Sequence, residues 1–240
     1  MENYGPLSRK RARSFELKEP ETLSWIESFD SNDTLIDIGA NIGIYSIYAA
    51  KRGHKVIAFE PESQNFGLLN RHISMNNVDK LVEAFGISIF DQFLISKLNI
   101  SKGNEEMEYG SSHHSFHNPT NEDGSEFSPI RRQGSIGITL DNFIDMYEFT
   151  PNHIKIDVDG LEEKVLYGSK SILKNSLLKS LLVELSPFNS NYEDLVRFIE
   201  SYGFKITFPK MSSTQIIKSI NTGRGNYTKN HIFVRYNHKH

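Results

Sequence analysis

Cysteine is absent from the 240 residues of the chain, which excludes disulfides, thiolate metal sites and a cysteine nucleophile. No apolar run approaches the roughly 20 residues that a membrane-spanning helix needs, and no apolar stretch of a secretory signal follows the basic residues near the N-terminus. A strong excess of one charge is also missing. The formal net charge of -3 gives no global electrostatic reason to expect a nucleic-acid partner. We therefore expect a cytoplasmic protein without a membrane span.

The composition is that of a folded domain, with 38% hydrophobic and 24% charged residues. We predict a lead segment over 1–32, a single domain over 33–236 and a tail over 237–240. A short basic cluster at 9–13 is interpreted as a solvated arm, with contact to a phosphate-bearing partner as the alternative.

Short β-branched runs alternate with helical stretches, which predicts a mostly parallel sheet with helices on both faces. The predicted strands are 34–39, 55–60, 81–88, 93–100, 153–160, 180–186, 204–208 and 231–236. The last two can pair as a hairpin across 209–230. The predicted helices are 42–53, 62–77 with Pro61 in its first turn, 138–147, 160–174 and 191–204. The polar segment 101–135 has no clear periodicity and predicts a long functional loop or lid.

A ligand site is predicted where the first two strands end, because ligands of open parallel sheets bind at the carboxyl ends of the strands. Asp37 and Gly39 end the first strand, and Gly43 opens the next helix with Asn41 as a plausible N-cap. Glycine lets a ligand approach the backbone closely. Glu60 ends the second strand and can accept hydrogen bonds from two ribose hydroxyls.

Two classes of ligand compete for this site. Dinucleotide sites favour G-x-G-x-x-G, but Asn41 stands where the middle glycine would be. Asp37 would repel a pyrophosphate but could pair with an ammonium group. A ligand with a ribose, a base and an amino-acid tail fits better, and S-adenosylmethionine has all three.

Two segments, "LIDIGANIGIYSIYAA" and "VIAFEPESQNFGLLNRHISMNN", resemble motif I and the downstream acid of class I methyltransferases. Three later segments, "ITLDNFI", "IKIDVDGLEEKVLYGSKSIL" and "LLVELSP", are similar to those of the FkbM family of O-methyltransferases. The resemblance covers 33–88 and 137–208 in the same order.

This resemblance implies a Rossmann-like class I methyltransferase fold, with a mostly parallel seven-stranded sheet whose last strand is antiparallel. It implies S-adenosylmethionine lying over residues 39–43 with its ribose on Glu60, beside Pro61. Gly86 and Ser88 would lie near the adenine edge, unless they form an ordinary strand end.

Methyl transfer to a hydroxyl needs alignment first, and a general base or a metal ion would help a weakly acidic sugar hydroxyl. Asp157 is predicted at a strand end beside the methyl group, with Lys155 on the same face. Asp159 and Glu162 have capping-box spacing and could simply start a helix. Glu184, inside an apolar strand, could join Asp157 as a base or as a ligand of a divalent cation, or form a salt bridge to Lys155.

A histidine cluster lies in the middle segment. His113, His114 and His117 could be solvated, contact the substrate as a base, or bind a metal, and His114 is our candidate. Arg131 and Arg132 could bind an anionic group of the acceptor or remain solvated.

Together these features predict an S-adenosylmethionine-dependent O-methyltransferase that acts on a hydroxyl of a sugar, in a glycan or a glycosylated metabolite. A magnesium-like cation is considered but not favoured. The alternatives are an NAD(P)-dependent oxidoreductase and a non-catalytic binding module on the same fold. The acceptor's identity and the oligomeric state stay open.

Overall fold

The computed structural model describes residues 19–101, 114–121, 125–209 and 229–236. Its strands are β1 (Thr34–Ile38), β2 (Lys55–Phe59), β3 (Val82–Phe85), β4 (Ser88–Ile89), β5 (Leu94–Ile100), β6 (His114–Phe116), β7 (Arg131–Ile138), β8 (His153–Ile156), β9 (Ser180–Leu185), β10 (Phe204–Phe208) and β11 (Lys229–Arg235). Its helices are α1 (Pro20–Glu27), α2 (Ile44–Lys51), α3 (Ser63–Met75), α4 (Leu140–Tyr147), α5 (Glu162–Tyr167), α6 (Lys170–Lys174) and α7 (Tyr192–Glu200).

The main sheet has seven strands in the order β10-β11-β9-β8-β1-β2-β3. Strands β3, β2, β1, β8 and β9 pair in parallel, whereas β11 runs antiparallel to both β9 and β10. The last strand is thus the antiparallel one, and the terminal hairpin is confirmed. Because strand order reverses beside β1, the carboxyl ends of β1 and β8 form the crevice in which ligands of such sheets bind.

Helices cover both faces of this sheet, as predicted. One face packs against α1, α2 and α3 through side chains such as Ile47 and Leu69. The other face packs against α4 to α7, where Phe143, Leu166 and Ile199 are buried. The central strands are buried on both faces, which explains why they read as continuous apolar runs.

Helix α1 extends the core N-terminally of residue 33, where the domain was predicted to begin. Trp25 and Ile26 are buried, and the Trp25 indole donates a 2.8 Å hydrogen bond to Ser180 Oγ on β9. Pro20 stands at the start of α1, where its missing N–H costs nothing.

A second sheet of four strands, in the order β4-β7-β5-β6, packs beside the main sheet. The predicted strand 81–88 is therefore wrong at its end, because β3 stops at Phe85 and Ser88 pairs with Gly137 of β7. Two strands, β6 and most of β7, lie within 101–135, which was predicted to be a loop. Glycine makes β7 hard to recognise in the sequence. A side chain at Gly137 would lie 2.6 Å from the Phe116 ring, so close packing excludes a β-branched residue, the type that marks strands, at this position.

The predicted helix 160–174 is divided into α5 and α6. Gly168 lies at the break, where a Cβ would overlap the carbonyl oxygen of Phe90. Predicted helix 138–147 is confirmed as α4, with Thr139 as its N-cap. Among the described residues, no helix is long and apolar enough to cross a membrane.

Candidate donor and acceptor site

A pocket of about 660 Å³, including its open mouth, lies at the carboxyl ends of β1, β2 and β8. That volume suits a small-molecule ligand. Seven of the residues predicted for the site border it: Gly39, Asn41, Glu60, Pro61, Ser88, His114 and Asp157. Five others do not line it: Asp37, Gly43, Gly86, Lys155 and Glu184.

The turn after β1 depends on glycine for internal packing. Gly39 and Gly43 have positive φ values of 81° and 87°, which glycine adopts without strain. A Cβ at Gly39 would overlap the carbonyl oxygen of Asp157, and one at Gly43 would overlap the Leu69 side chain. Close packing of the chain on itself is thus one reason for glycine at both positions, and ligand approach stays a prediction.

Asn41 is not the N-cap of α2, contrary to the prediction. It has a φ of 51°, and Gly43 takes the N-cap position without a side-chain hydrogen bond. The Asn41 backbone N–H instead donates a 2.8 Å hydrogen bond to Glu60 Oε2. This bond joins the glycine turn to the end of β2.

Glu60 is buried at the floor of the pocket. Its Oε1 accepts a 2.9 Å hydrogen bond from the Glu62 N–H. Burial raises the pKa of Glu60 to about 8, although the backbone N–H groups of Glu62 and Asn41 act against it. The Glu62 carboxylate caps α3 by accepting from Gln64 N–H at 2.9 Å, so Pro61 precedes the cap and the prediction that it lies in the first turn is wrong.

Asp37 lies inside the protein, beside the pocket. Its Oδ2 accepts a 2.6 Å hydrogen bond from Ser46 Oγ, and its Oδ1 is 3.7 Å from Lys155 Nζ. The cation facing Asp37 is therefore a lysine of the chain. A role for Asp37 toward the ligand's ammonium group stays a prediction.

Lys155 and Asp157 contact each other, as strand alternation predicted. Lys155 Nζ donates a 2.8 Å hydrogen bond to Asp157 Oδ2, and the lysine is buried whereas Asp157 is 28% exposed. Burial lowers the pKa of Lys155, but the carboxylates of Asp157 and Asp37 outweigh it and raise that pKa above its ordinary value. Lys155 is thus a cation that holds Asp157 rather than a proton acceptor.

Three acids lie close together, and two of them, Asp157 and Asp159, line the pocket. One carboxylate oxygen each from Asp157, Asp159 and Glu184 lies within 4.8 Å of the other two. Such a group could hold a divalent cation. The capping box is wrong, because α5 has Leu161 as its N-cap without a side-chain hydrogen bond. Asp159 lines the pocket instead.

The small sheet forms a wall of the pocket. His114 on β6 places its Nε2 3.7 Å from Oε1 of Glu60, the acid that was predicted to bind the ribose. His117 is exposed and bonds to Ser96 through Nδ1 at 3.0 Å. His113 lies outside the described residues. The three histidines are not brought together as one described site.

Arg131 pairs with Glu62 at 2.6 Å, so its partner is the α3 cap, whereas Arg132 is exposed. Ser88 lines the pocket, but Gly86 does not, and a Cβ at Gly86 would lie 3.5 Å from the Phe66 ring. The adenine-edge role of this pair therefore has geometric support for Ser88 alone.

Sequence reasoning missed the apolar lining of the pocket. These side chains come from the ends of β1 and β2, from the small sheet and the residue before β4, and from the 157–161 loop. They are Ile38, Phe59, Ile87, Ile89, Leu98, Phe116, Val158 and Leu161. The available signal was the alternation of small and apolar residues over 86–89, but this pattern is equally typical of an ordinary strand end.

The residues fit an S-adenosyl donor. Glu60 at the floor offers its carboxyl group to a diol, and the apolar wall with Phe116 suits a flat base. Asp157 and Asp159 line the same pocket. The fold and this site define a class I methyltransferase.

Residues 37–206 match the profile of the methyltransferase FkbM domain. The chain belongs to this family, and it is an S-adenosylmethionine-dependent methyltransferase. The family assignment favours methyl transfer over the nicotinamide-dependent alternative.

Two curated relatives share this function class. The chain is 25% identical over 201 residues to the methyltransferase sdnD of Sordaria araneosa, covering 76% of this chain and 77% of that protein. It is 24% identical over 153 residues, or 62% of the chain, to a tRNA (guanine(37)-N(1))-methyltransferase of Aedes aegypti. It spans only 26% of the length of that second relative.

Solved structures share the fold. Magnesium protoporphyrin IX methyltransferase (ChlM) from Synechocystis PCC 6803, with bound SAM, matches with a TM-score of 0.52 and 12% identity over 98% of this chain and 87% of that chain. Ribosomal protein L11 methylase from Lactobacillus delbrueckii matches with a TM-score of 0.52 and 10% identity over 92% of this chain and 79% of that one. At such identities the likeness shows the fold alone.

Proposed function

We propose that this methyltransferase transfers the methyl group to an oxygen, the hydroxyl of a sugar in a glycan or a glycosylated metabolite. The observation that carries the proposal is the group of three acids, Asp157, Asp159 and Glu184, of which the first two line the pocket. Carboxylates accept hydrogen bonds from neutral hydroxyls and can take up the proton that leaves as the C–O bond forms.

The same acids disfavour a nucleic-acid acceptor. A phosphate backbone needs neutralising cations, and binding strength follows their number. Here three carboxylates lie together, two of them in the pocket wall, and the whole chain carries a formal charge of -3. Repulsion between these charges and a polyanion supports an uncharged acceptor.

Asp157 is the proposed proton acceptor, and Lys155 is the residue that orients it. The 2.8 Å contact to the buried ammonium group fixes one carboxylate oxygen, while the side chain remains partly exposed toward the pocket. Glu60 is proposed to hold the donor's ribose. His114, at 3.7 Å from Glu60, is proposed to contact the donor side of the site rather than to serve as the base.

The experiment is a transfer assay with S-adenosylmethionine labelled in its methyl group. The acceptors are a panel of methyl glycosides and oligosaccharides on one side and tRNA transcripts on the other. Product label that survives mild base indicates an ether, since a methyl ester would be hydrolysed. Transfer to tRNA with none to any sugar would contradict the proposal.

Asp157→Asn is expected to lower turnover at least 100-fold, the usual scale for loss of a general base. The change is nearly isosteric, so affinity for S-adenosylhomocysteine should stay within about threefold. Calorimetry and the transfer assay measure the two effects. Near-wild-type turnover would exclude Asp157 as the base and leave Glu184 or His114 as candidates.

A metal-free route is proposed, because the buried Lys155 ammonium group, 2.8 Å from Asp157 Oδ2, already offsets part of the negative charge of the three acids. Treatment with EDTA, followed by gel filtration, should leave turnover unchanged. Loss of activity that added magnesium restores would assign the three acids to a cation instead.

A further inference from the structure

The 157–161 loop carries two of the three clustered acids, Asp157 and Asp159. A buried side chain at the start of α5 contacts this loop. We propose that Glu162 is a positioning residue whose carboxylate fixes the 157–161 loop, and with it Asp157 and Asp159, against the donor pocket. This inference rests on the proposed role of those acids at the acceptor.

The contacts are specific to backbone groups of the loop. Glu162 Oε1 accepts a hydrogen bond from Val158 N–H at 3.1 Å. Gly160 N–H donates to both carboxylate oxygens, at 3.3 Å and 3.1 Å. One side chain therefore satisfies two backbone donors that neither β8 nor α5 can pair.

The loop needs such a hold because its backbone is unusual. Asp159 and Gly160 have consecutive positive φ values of 53° and 98°. A non-glycine residue adopts this region rarely and keeps it only where its surroundings impose it. The Glu162 carboxylate accepts hydrogen bonds from the residues on both sides of Asp159 and thereby helps to hold this conformation.

The other end of the loop is fixed by the sheet. Asp157 N–H donates a 3.1 Å hydrogen bond to the Ile38 carbonyl oxygen, which continues the pairing of β8 with β1. Between this point and Glu162, the loop contributes Val158, Asp159 and Leu161 to the pocket wall. A shift of the loop would therefore move Asp159 relative to Glu60, and transfer rates are sensitive to such displacements.

Burying the Glu162 carboxyl group costs free energy that the start of a helix does not by itself require. Glu162 is 7% exposed, and burial raises the pKa of Glu162 to about 7 despite the donors around it. An exposed helix cap would achieve the same start without that cost. The neighbouring Glu163 shows the contrast, because its carboxylate accepts from Asn191 Nδ2 at 3.1 Å on another side of the helix.

The test compares Glu162→Gln with Glu163→Gln, which removes the same charge one residue further along. Amide hydrogen exchange over 157–161 is expected to be at least tenfold faster in Glu162→Gln and unchanged in Glu163→Gln. Affinity for S-adenosylhomocysteine should stay within threefold in both variants. On a sugar that the wild type methylates, kcat should fall at least tenfold in Glu162→Gln while the KM for S-adenosylmethionine stays within threefold.

Glu162→Asp provides a second variant that keeps the charge but shortens the reach, and it should show the same faster exchange. Unchanged exchange in both Glu162 variants would overturn the proposal, as would loss of cooperative unfolding in both, which would make Glu162 a requirement of the fold. The exchange measurement needs no acceptor. If no sugar is methylated by the wild type, the proposed acceptor fails while the positioning role is still tested.

Discussion

At the scale of single residues, the site depends on acids in different environments. Glu60 is enclosed by backbone donors and carries a raised pKa of about 8 because it is buried. Asp157 is partly exposed and paired with a cation at 2.8 Å. Environment thus distinguishes a buried carboxyl group enclosed by backbone donors from a carboxylate that stays partly open to the pocket.

Donor affinity is expected to depend on pH through Glu60. A ribose diol donates hydrogen bonds, and an ionised carboxylate accepts them more strongly than a neutral acid does. Since the free carboxyl is largely protonated below its pKa of about 8, binding there must release a proton. We expect affinity for S-adenosylhomocysteine to rise about tenfold from pH 6.5 to pH 8 and then to level off.

Calorimetry at a series of pH values measures this dependence. Glu60→Gln is the control, because it cannot ionise; its affinity should be lower and flat over the same range. A wild-type affinity that does not change with pH would contradict the assignment of Glu60 to the diol.

At the scale of elements, the small sheet is joined to the turn between β2 and α3. Gln133 on β7 donates to the Pro61 carbonyl at 2.6 Å and accepts from Ser63 N–H at 3.0 Å. Arg131 on the same strand pairs with Glu62. Because this turn begins at Glu60, strand β7 supports the donor side of the pocket from outside the main sheet.

Arg131→Ala is expected to weaken S-adenosylhomocysteine binding about two- to fivefold. The Arg131 side chain is 37% exposed and Glu62 is 7% exposed, so solvent screening limits the pair to about 1 kcal/mol or less. Arg132→Ala is the matched control on the same strand, since that arginine is exposed. Calorimetry that finds equal affinities for the two variants would contradict a supporting role of β7.

At the scale of the whole molecule, the two ends of the strands in the main sheet have different roles. The pocket lies at the carboxyl ends of the strands, and a buried polar cluster lies at their amino ends. There His153 contacts Asp33 Oδ2 at 2.9 Å and Ser180 Oγ at 2.7 Å. Burial lowers the pKa of His153 to about 4, so this histidine is neutral at physiological pH and packs as part of the core.

Trp25 joins α1 to this cluster, and Trp25→Ala is expected to lower the free energy of unfolding by about 3–5 kcal/mol. The side chain is buried and bonded to Ser180. Met146→Ala is the control, because that side chain is 79% exposed and should change stability by less than about 0.5 kcal/mol. Urea unfolding of both variants measures the difference. A Trp25 effect as small as that of Met146 would show that α1 is not part of the cooperative core.

Much of the main sheet could be predicted from the sequence. Residues that are buried on both faces of parallel strands form apolar runs, and β1, β2, β8 and β9 were recognisable in this way. The glycine turn and Glu60 followed from the spacing between two such runs. In the small sheet, β5 was predicted as 93–100, but β6 and most of β7 fell within the predicted loop, since Gly134 and Gly137 in β7 lack side chains that signal a strand.

The sequence by itself determined the class of the protein, because a methyltransferase donor site is built from residues close together along the chain, between Asp37 and Glu60. Only the tertiary structure decided what surrounds that site. It brought His114 to Glu60 and placed Asp159 in the pocket wall rather than at a helix cap. The physical reason is that these placements depend on packing between segments distant in sequence, whereas local spacing reports only on neighbours.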